Sequence, residues 1–361
     1  MKAAIYRGAK DIRIEDVDKP TIQPGHCLVK VAYCGICGTD LHEYESGPIL
    51  VPGKTPHPVT GCSLADGICL GHEFSGTIEE VGDNVAGDWK RGDRVVIEAV
   101  ISCKECYACR SGCSNACAKL GFVGISGLGG GLAEYFLSPA EYLHRVPEGV
   151  SLRQAAMSEP LAVAVHAVRR SGFQKGQSAL VLGAGPIGCF LTKVLIAQGA
   201  SKVIISEPSS TRRSKAALAG AHHLFSPLED DIPARVRELT GSDEGVDVAF
   251  EAAGNERALD AGIRSLKVRG TLLNVSVWST PPKVDMNELV FKERSILGAS
   301  CYKDDHPTVM HALGSGLIRL DDFISAVIPL EDLVDKGFRE LLENNENHVK
   351  ILVCPSGDMS L

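Results

Sequence analysis

Positive charge is in deficit in this chain of 361 residues: Lys and Arg number 37 against 45 Asp and Glu, a net charge of −8. That balance argues against a nucleic-acid partner, because neutralising phosphates requires a basic face. Long apolar runs are missing as well, so no membrane-spanning helix is expected. The opening segment MKAAIYRGAKDIRIED lacks the apolar core of a secretion signal, and the closing GDMSL lacks the basic residue of an SKL-type peroxisomal address. The expected location is the cytosol. Internal repeats and low-complexity stretches are absent. What remains, 44% hydrophobic residues in a chain of this length, is enough for two domains and a large core.

Cysteine, by contrast, is abundant, at thirteen residues. In an intracellular chain, clustered cysteines point to metal rather than to disulfides. Cys103, Cys106, Cys109 and Cys117 in ISCKECYACRSGCSNAC follow a Cys-x2-Cys-x2-Cys-x7-Cys spacing. Four thiolates on one short loop suit a closed, tetrahedral structural zinc site. Cys113 lies inside the same loop and could in principle ligate, but even early spacing followed by a wider gap favours Cys117. Without metal, such exposed thiols would oxidise. Cys27, Cys34, Cys189, Cys301 and Cys354 sit in apolar surroundings and read as core residues, and Cys62 and Cys69 as free thiols.

A second constellation is sparser. Cys37, His72 and Glu73 offer one soft and two harder ligands, and three protein ligands plus an open position make a catalytic zinc site. Glu159, in SEPLAVA, is a carboxylate in an apolar helix, where burial is costly unless the group is paired or metal-bound. His42, just past Cys37 and Thr39, could shuttle protons.

Residues 1–148 read as β-rich, with short runs punctuated by Gly, Asp and Pro. Residues 46–71 form a loop whose length suggests function. Residues 151–172 read as one helix linking two regions, with Pro160 at a helix start or kink. Strands are then expected at 178–184, 202–207, 246–254, 270–278 and 295–300, with helices at 188–199 and 211–221. This alternation predicts an α/β fold with a doubly wound parallel sheet. The final sixty or so residues carry no regular pattern.

ALVLGAGPIG follows an apolar strand and opens a helix. Gly183 permits the tight turn, Gly185 lets backbone amides approach a pyrophosphate, and Gly188 lets helix and strand pack closely, with Pro186 and Ile187 completing the run. Glu207, at the end of the next strand, would accept hydrogen bonds from a ribose diol and repel a 2′-phosphate. Arg212 and Arg213 just beyond could hold such a phosphate or be surface charges. The charge logic favours NAD over NADP.

In order along the chain, GICGTDLHEY, GHEFSG, the four-cysteine loop, EPLAVA and LVLGAGPIG resemble the zinc-dependent medium-chain dehydrogenase/reductase family, and most of all its butanediol, sorbitol and threonine dehydrogenase branch. The resemblance implies a GroES-like catalytic domain with both zinc sites over 1–152 and 300–361, around a Rossmann domain over 153–299. It implies two zinc ions and NAD, and oxidation of a secondary alcohol such as a vicinal diol or polyol. Cys37 and His72 match catalytic zinc ligands, while Glu73 and Glu159 match two acids, either of which could be the direct third ligand. Thr39 matches the hydroxyl that meets the substrate oxygen, and His42 the relay histidine. Val275, Ser276 and Val277 match the strand end beside the nicotinamide, and Lys350 a cation near the pyrophosphate. Val165 and Ala99 depart from residues frequent in the branch. A homodimer or homotetramer is implied, with residues 295–300 a candidate edge. Competing expectations are a larger biosynthetic alcohol as substrate, an NAD-retaining epimerase, a zinc-free enone reductase, and a non-catalytic structural protein of the same fold.

Overall fold

The computed structural model describes residues 1–241, 244–278 and 280–358. The three C-terminal residues weighed for a peroxisomal address lie outside them. Among the described residues, no helix is long and apolar enough to cross a membrane. The chain divides into two compact units, one of Met1–Glu159 with His306–Leu361 and one of Pro160–Asp305.

In the first unit, the strand His26–Gly35 is central to a seven-stranded sheet. One side of it pairs with Glu73–Val81. The other side pairs with Tyr135–Pro139 over its first half and with Lys350–Cys354 at its end. Flanked on both sides, the strand is apolar almost throughout, as a buried central strand should be. Ile324–Pro329 completes the returning edge, parallel to Lys350–Cys354. The irregular C-terminal stretch therefore supplies two strands of this sheet. Beneath lies a core that includes Tyr6, Val29, Val31, Ile78, Phe74 and Phe136. The rings of Phe74 and Phe136 meet edge to face at 5.1 Å.

The loop 46–71 is pinned rather than loose. The buried Glu43 carboxylate accepts the backbone N–H groups of Ile49 at 2.9 Å, Val51 at 3.0 Å, and Leu50. Farther on, Thr60 Oγ1 donates to Ser126 O.

The second unit is a six-stranded parallel sheet in the order His223–Phe225, Lys202–Ser206, Ser178–Leu182, Val246–Glu251, Leu266–Asn274, Ser295–Gly298. The order reverses beside Ser178–Leu182, so the crevice at that strand's carboxyl end is the expected dinucleotide position. Two connecting helices carry little sequence signal. Ile232–Thr240 and Glu256–Arg264 are short, and side chains of Asp231 and Asn255 cap them. They bury narrow stripes, Ile232 with Val236 and Leu259 with Ile263.

Three expectations need correction. Residues 151–172 are two helices, Leu152–Ala155 and Ser158–Ser171, and Pro160 lies in the first turn of the second, where a missing N–H costs little. The fifth strand ends at Asn274, so Val275, Ser276 and Val277 lie beyond it. Cys301 is half-buried with a positive φ of 49°, not a core residue.

Candidate active site

Antiparallel pairing assembles the first cluster. Gly35 opposes Glu73 in the ladder, so the chain leaving one strand at Cys37 meets the chain entering the other at His72. Donor atoms of Cys37, His72 and Glu73 all lie within 4.8 Å of one another. Asp40, fully buried on the helix Gly38–Ser46, stands behind them. Its Oδ2 accepts the Cys37 N–H at 2.9 Å, and its Oδ1 lies 3.5 Å from His72 Nδ1. Those last two atoms are buried without a normal hydrogen-bond partner. Nδ1 facing a carboxylate leaves Nε2 as the nitrogen that could ligate a metal, the arrangement that orients a metal-bound imidazole. Asp40 was not singled out from the sequence; its position three residues after Cys37 was the only signal.

The electrostatics also call for a cation. Burial alone would lower the pKa of His72, but the charges of Asp40 and Cys37 outweigh it and hold it well above the usual imidazole value. Lys350 behaves likewise. Burial would lower it, but Glu73, Cys37 and Glu159 together raise it. Its Nζ donates to both Glu73 oxygens, at 2.9 and 2.6 Å, and to Ile36 O at 3.0 Å. Lys350, expected beside a pyrophosphate, thus spends its ammonium on Glu73. Glu159 is buried and close enough to act on Lys350, but it is not among the three clustered donors.

Thr39 and His42 occupy positions three apart on the helix Gly38–Ser46, which makes them neighbours on its surface. Thr39 Oγ1 lies 3.7 Å from Cys37 Sγ, and His42 is exposed.

The cysteine loop forms the second cluster. Sulfur–sulfur separations are 3.5 Å for Cys106–Cys109, 3.8 Å for Cys106–Cys117 and 3.5 Å for Cys103–Cys117. Sulfurs bound to one tetrahedral zinc at ~2.3 Å stand about 3.8 Å apart, so this cage has the size of a zinc site. Cys113 is exposed and turned to Ser111 O, outside the cage. Backbone N–H groups of Ala118 and Cys109 draw the Cys106 thiol down to about 6, toward the thiolate that ligation needs.

In the second unit, Gly183 has φ of 99°, a conformation suited to glycine. A Cβ on Gly188 would stand 1.9 Å from Gly183 O, so helix and turn could not pack this way around any larger residue. At Gly185 a Cβ would meet nothing within 4 Å, leaving its side open to a ligand, and Pro186 and Ile187 begin the helix Pro186–Ala197. A cavity of about 640 Å³ is lined by Gly183, Gly185, Glu207, Arg212, Leu228 and Asn255, among others. Glu207 is buried, accepting the N–H of Ala184 at 2.8 Å and of Ser209 at 2.9 Å. Arg213 turns to the carbonyls of Glu207 and Pro208, both at 2.7 Å. Val275 N–H donates to Glu251 O at 3.0 Å, which holds the Val275–Val277 segment at the carboxyl end of the sheet.

Family comparison agrees with this layout. The alcohol dehydrogenase GroES-like domain matches residues 23–148, and the zinc-binding dehydrogenase domain matches residues 186–315. The (R,R)-butanediol dehydrogenase of Neisseria gonorrhoeae is 42% identical over 358 residues, covering 99% of this chain and 100% of its own. The crystal structure of 2R,3R-butanediol dehydrogenase from Bacillus subtilis superposes with a TM-score of 0.92 at 39% identity, covering 98% of this chain and 99% of that one. A zinc-binding dehydrogenase structure from Sinorhizobium meliloti, bound to NADP, has a TM-score of 0.88 at 30% identity, with 98% and 99% covered. The chain belongs to the zinc-dependent alcohol dehydrogenase family and is an oxidoreductase of the NAD(P)-linked kind.

Proposed function

We propose that the chain interconverts 2,3-butanediol and acetoin with NAD, using one catalytic and one structural zinc. The observation that carries this reading is the cluster of Cys37, His72 and Glu73 with Asp40 behind it. The diol preference rests on full-length similarity to a butanediol dehydrogenase. Bound zinc would supply a Lewis acid that acidifies the substrate hydroxyl, and NAD would accept the hydride.

The residues divide the remaining work. Cys37 and His72 hold the catalytic ion, and Asp40 fixes the imidazole. Both Glu73 oxygens are engaged by Lys350, which favours Glu159 as the direct third ligand. Thr39 Oγ1 accepts the proton leaving the substrate hydroxyl as it gives up its own, which passes on toward His42, exposed on the same helix, where one is released to solvent. Glu207 receives the adenosine ribose diol beside Gly183, Gly185 and Gly188. Its carboxylate disfavours a 2′-phosphate, and Arg213 is already committed to backbone carbonyls, so NAD is preferred. Arg212 lines the same cavity, and Val275, Ser276 and Val277, held at the carboxyl end of the sheet, are assigned to the nicotinamide. Cys103, Cys106, Cys109 and Cys117 hold the structural ion. The exposed edge strand Ser295–Gly298 joins subunits in a homodimer or homotetramer.

The test is zinc content together with initial rates, offering NAD or NADP with each butane-2,3-diol stereoisomer, sorbitol and simple secondary alcohols. About two zinc per chain and NAD-dependent oxidation of one butanediol isomer are expected. Two zinc with no turnover of any diol would move the substrate to a larger alcohol. Separately, Glu159→Gln should lose catalytic zinc more readily than Glu73→Gln; the opposite order would reverse their roles.

A further inference from the structure

A third group of metal-competent side chains lies in the first unit and shares no residue with either cysteine-containing cluster. Glu98 follows the strand Arg94–Ile97, and its N–H donates to Tyr142 O at 2.7 Å. That bond ties it to the head of the strand Leu143–Arg145, which carries His144. His306 opens the helix His306–Gly314, where the chain re-enters this unit, and that helix packs on the same strand. Glu98 Oε2 lies 3.0 Å from His144 Nε2. The imidazoles of His144 and His306 stack nearly parallel, 8° apart in plane, with centroids 4.6 Å apart. One donor atom from each of the three residues falls within 4.8 Å of the others.

We propose that Glu98, His144 and His306 form a third metal site, for a divalent ion of the zinc class. Two imidazoles and one carboxylate suit zinc, nickel or copper rather than calcium or magnesium. Donors around a zinc ion at about 2.1 Å stand roughly 3.4 Å apart; because the stacked rings direct their lone pairs along parallel planes, binding must turn the partly exposed His144 ring out of the stack toward His306. A hydrogen-bonded Glu–His pair accounts for two members of the group. The buried second imidazole, laid flat on the first, adds the third donor. The His306 ring is fully buried beside that of His144. Glu98 and His144 are 22% and 21% exposed, which gives an ion a way in and room for water as the remaining ligand. The bound ion would fasten the returning helix to the edge of the sheet. Its role is therefore structural, and it is independent of the reaction proposed above.

The experiment titrates zinc chloride into protein that retains its resident zinc, reading bound metal by mass spectrometry and unfolding temperature by calorimetry. The wild-type chain is expected to take up one further ion and to melt higher as it does so. His144→Ala and Glu98→Gln should each weaken that uptake by about tenfold or more and abolish the thermal shift, while resident zinc stays unchanged. Glu98→Gln keeps the shape of the side chain and guards against a folding failure at His144. The proposal is overturned if the wild type binds no further ion at about 100 µM free zinc. It is equally overturned if both variants bind that ion as tightly as the wild type. Because the readout is the difference between variant and wild type, a failed diol assay would leave it standing.

Discussion

Removing the ammonium of Lys350 would leave the Glu73 carboxylate buried without a counter-charge, since the two side chains are only 2% and 1% exposed. Breaking such a pair from one side typically costs about 3–5 kcal/mol, whereas removing both charges costs far less. Lys350→Met should therefore destabilise the first unit strongly, and Lys350→Met with Glu73→Gln should recover much of the loss. A urea-unfolding double-mutant cycle reads the difference, and additive losses would deny the coupling. Glu251 gives a pH-dependent counterpart. Burial raises its pKa, outweighing the N–H groups of Ala253 and Gly254 that its Oε1 accepts. The folded chain holds that proton after the unfolded chain has released it. The stability this provides is full below the ordinary carboxylate pKa of about 4.3 and is lost as pH rises through the folded value. Glu251→Gln should consequently raise the melting temperature at about pH 8 more than at about pH 4, and an equal shift at both would count against the burden. These residues also mark where sequence reading stops. Cys37 and His72 were legible from their motifs. Lys350 was not, because its meaning depends on an ion pair with Glu73, 277 positions away.

At the level of elements, the gathering of Cys103, Cys106, Cys109 and Cys117 was legible because the four are local, and spacing alone nearly specifies the cage. Cys113 lies outside that cage. Cys113→Ser should leave metal content and melting unchanged, whereas Cys117→Ser should lose one zinc per chain and lower the melting temperature by several degrees. Metal analysis and calorimetry on the two variants decide it, and zinc retained in Cys117→Ser would return the choice to Cys113. The parallel strands were equally legible, since strands covered on both faces read as unbroken apolar runs, ALVL in Ser178–Leu182 and VII in Lys202–Ser206. The helices Ile232–Thr240 and Glu256–Arg264 escaped notice for the converse reason, because each buries only a narrow stripe. The segment Val275–Trp278 is apolar apart from Ser276 and reads as strand. Its backbone leaves the ladder after Asn274, and Val277 stands 94% exposed. Composition does not register that departure, because an exposed apolar residue beyond a strand and a buried one within it look alike in sequence.

At the level of the molecule, the sheet of the second unit ends in Ser295–Gly298, and apolar side chains stand exposed beside that edge, with Phe291 79% and Val290 66% accessible. An uncovered edge with apolar neighbours invites pairing with another chain. Ile296→Glu should therefore reduce the assembled mass in light scattering, without changing the fold of the subunit. An unaltered mass would place the subunit contact elsewhere. The sequence pattern changes near residue 150, and the two compact units divide at Glu159–Pro160 and Asp305–His306, with the short helix Leu152–Ala155 in the first. The late strand Lys350–Cys354 also orders events during synthesis. At about 5–20 residues per second, the ribosome emits Lys350 roughly 15–60 s after Ile36. The contiguous second unit is complete well before then and can fold while the first still waits. Until the late strand docks, Glu73 lacks its ammonium and the cluster with Cys37 and His72 is open, so metal captured earlier meets a site with one more uncompensated negative charge than the finished protein has.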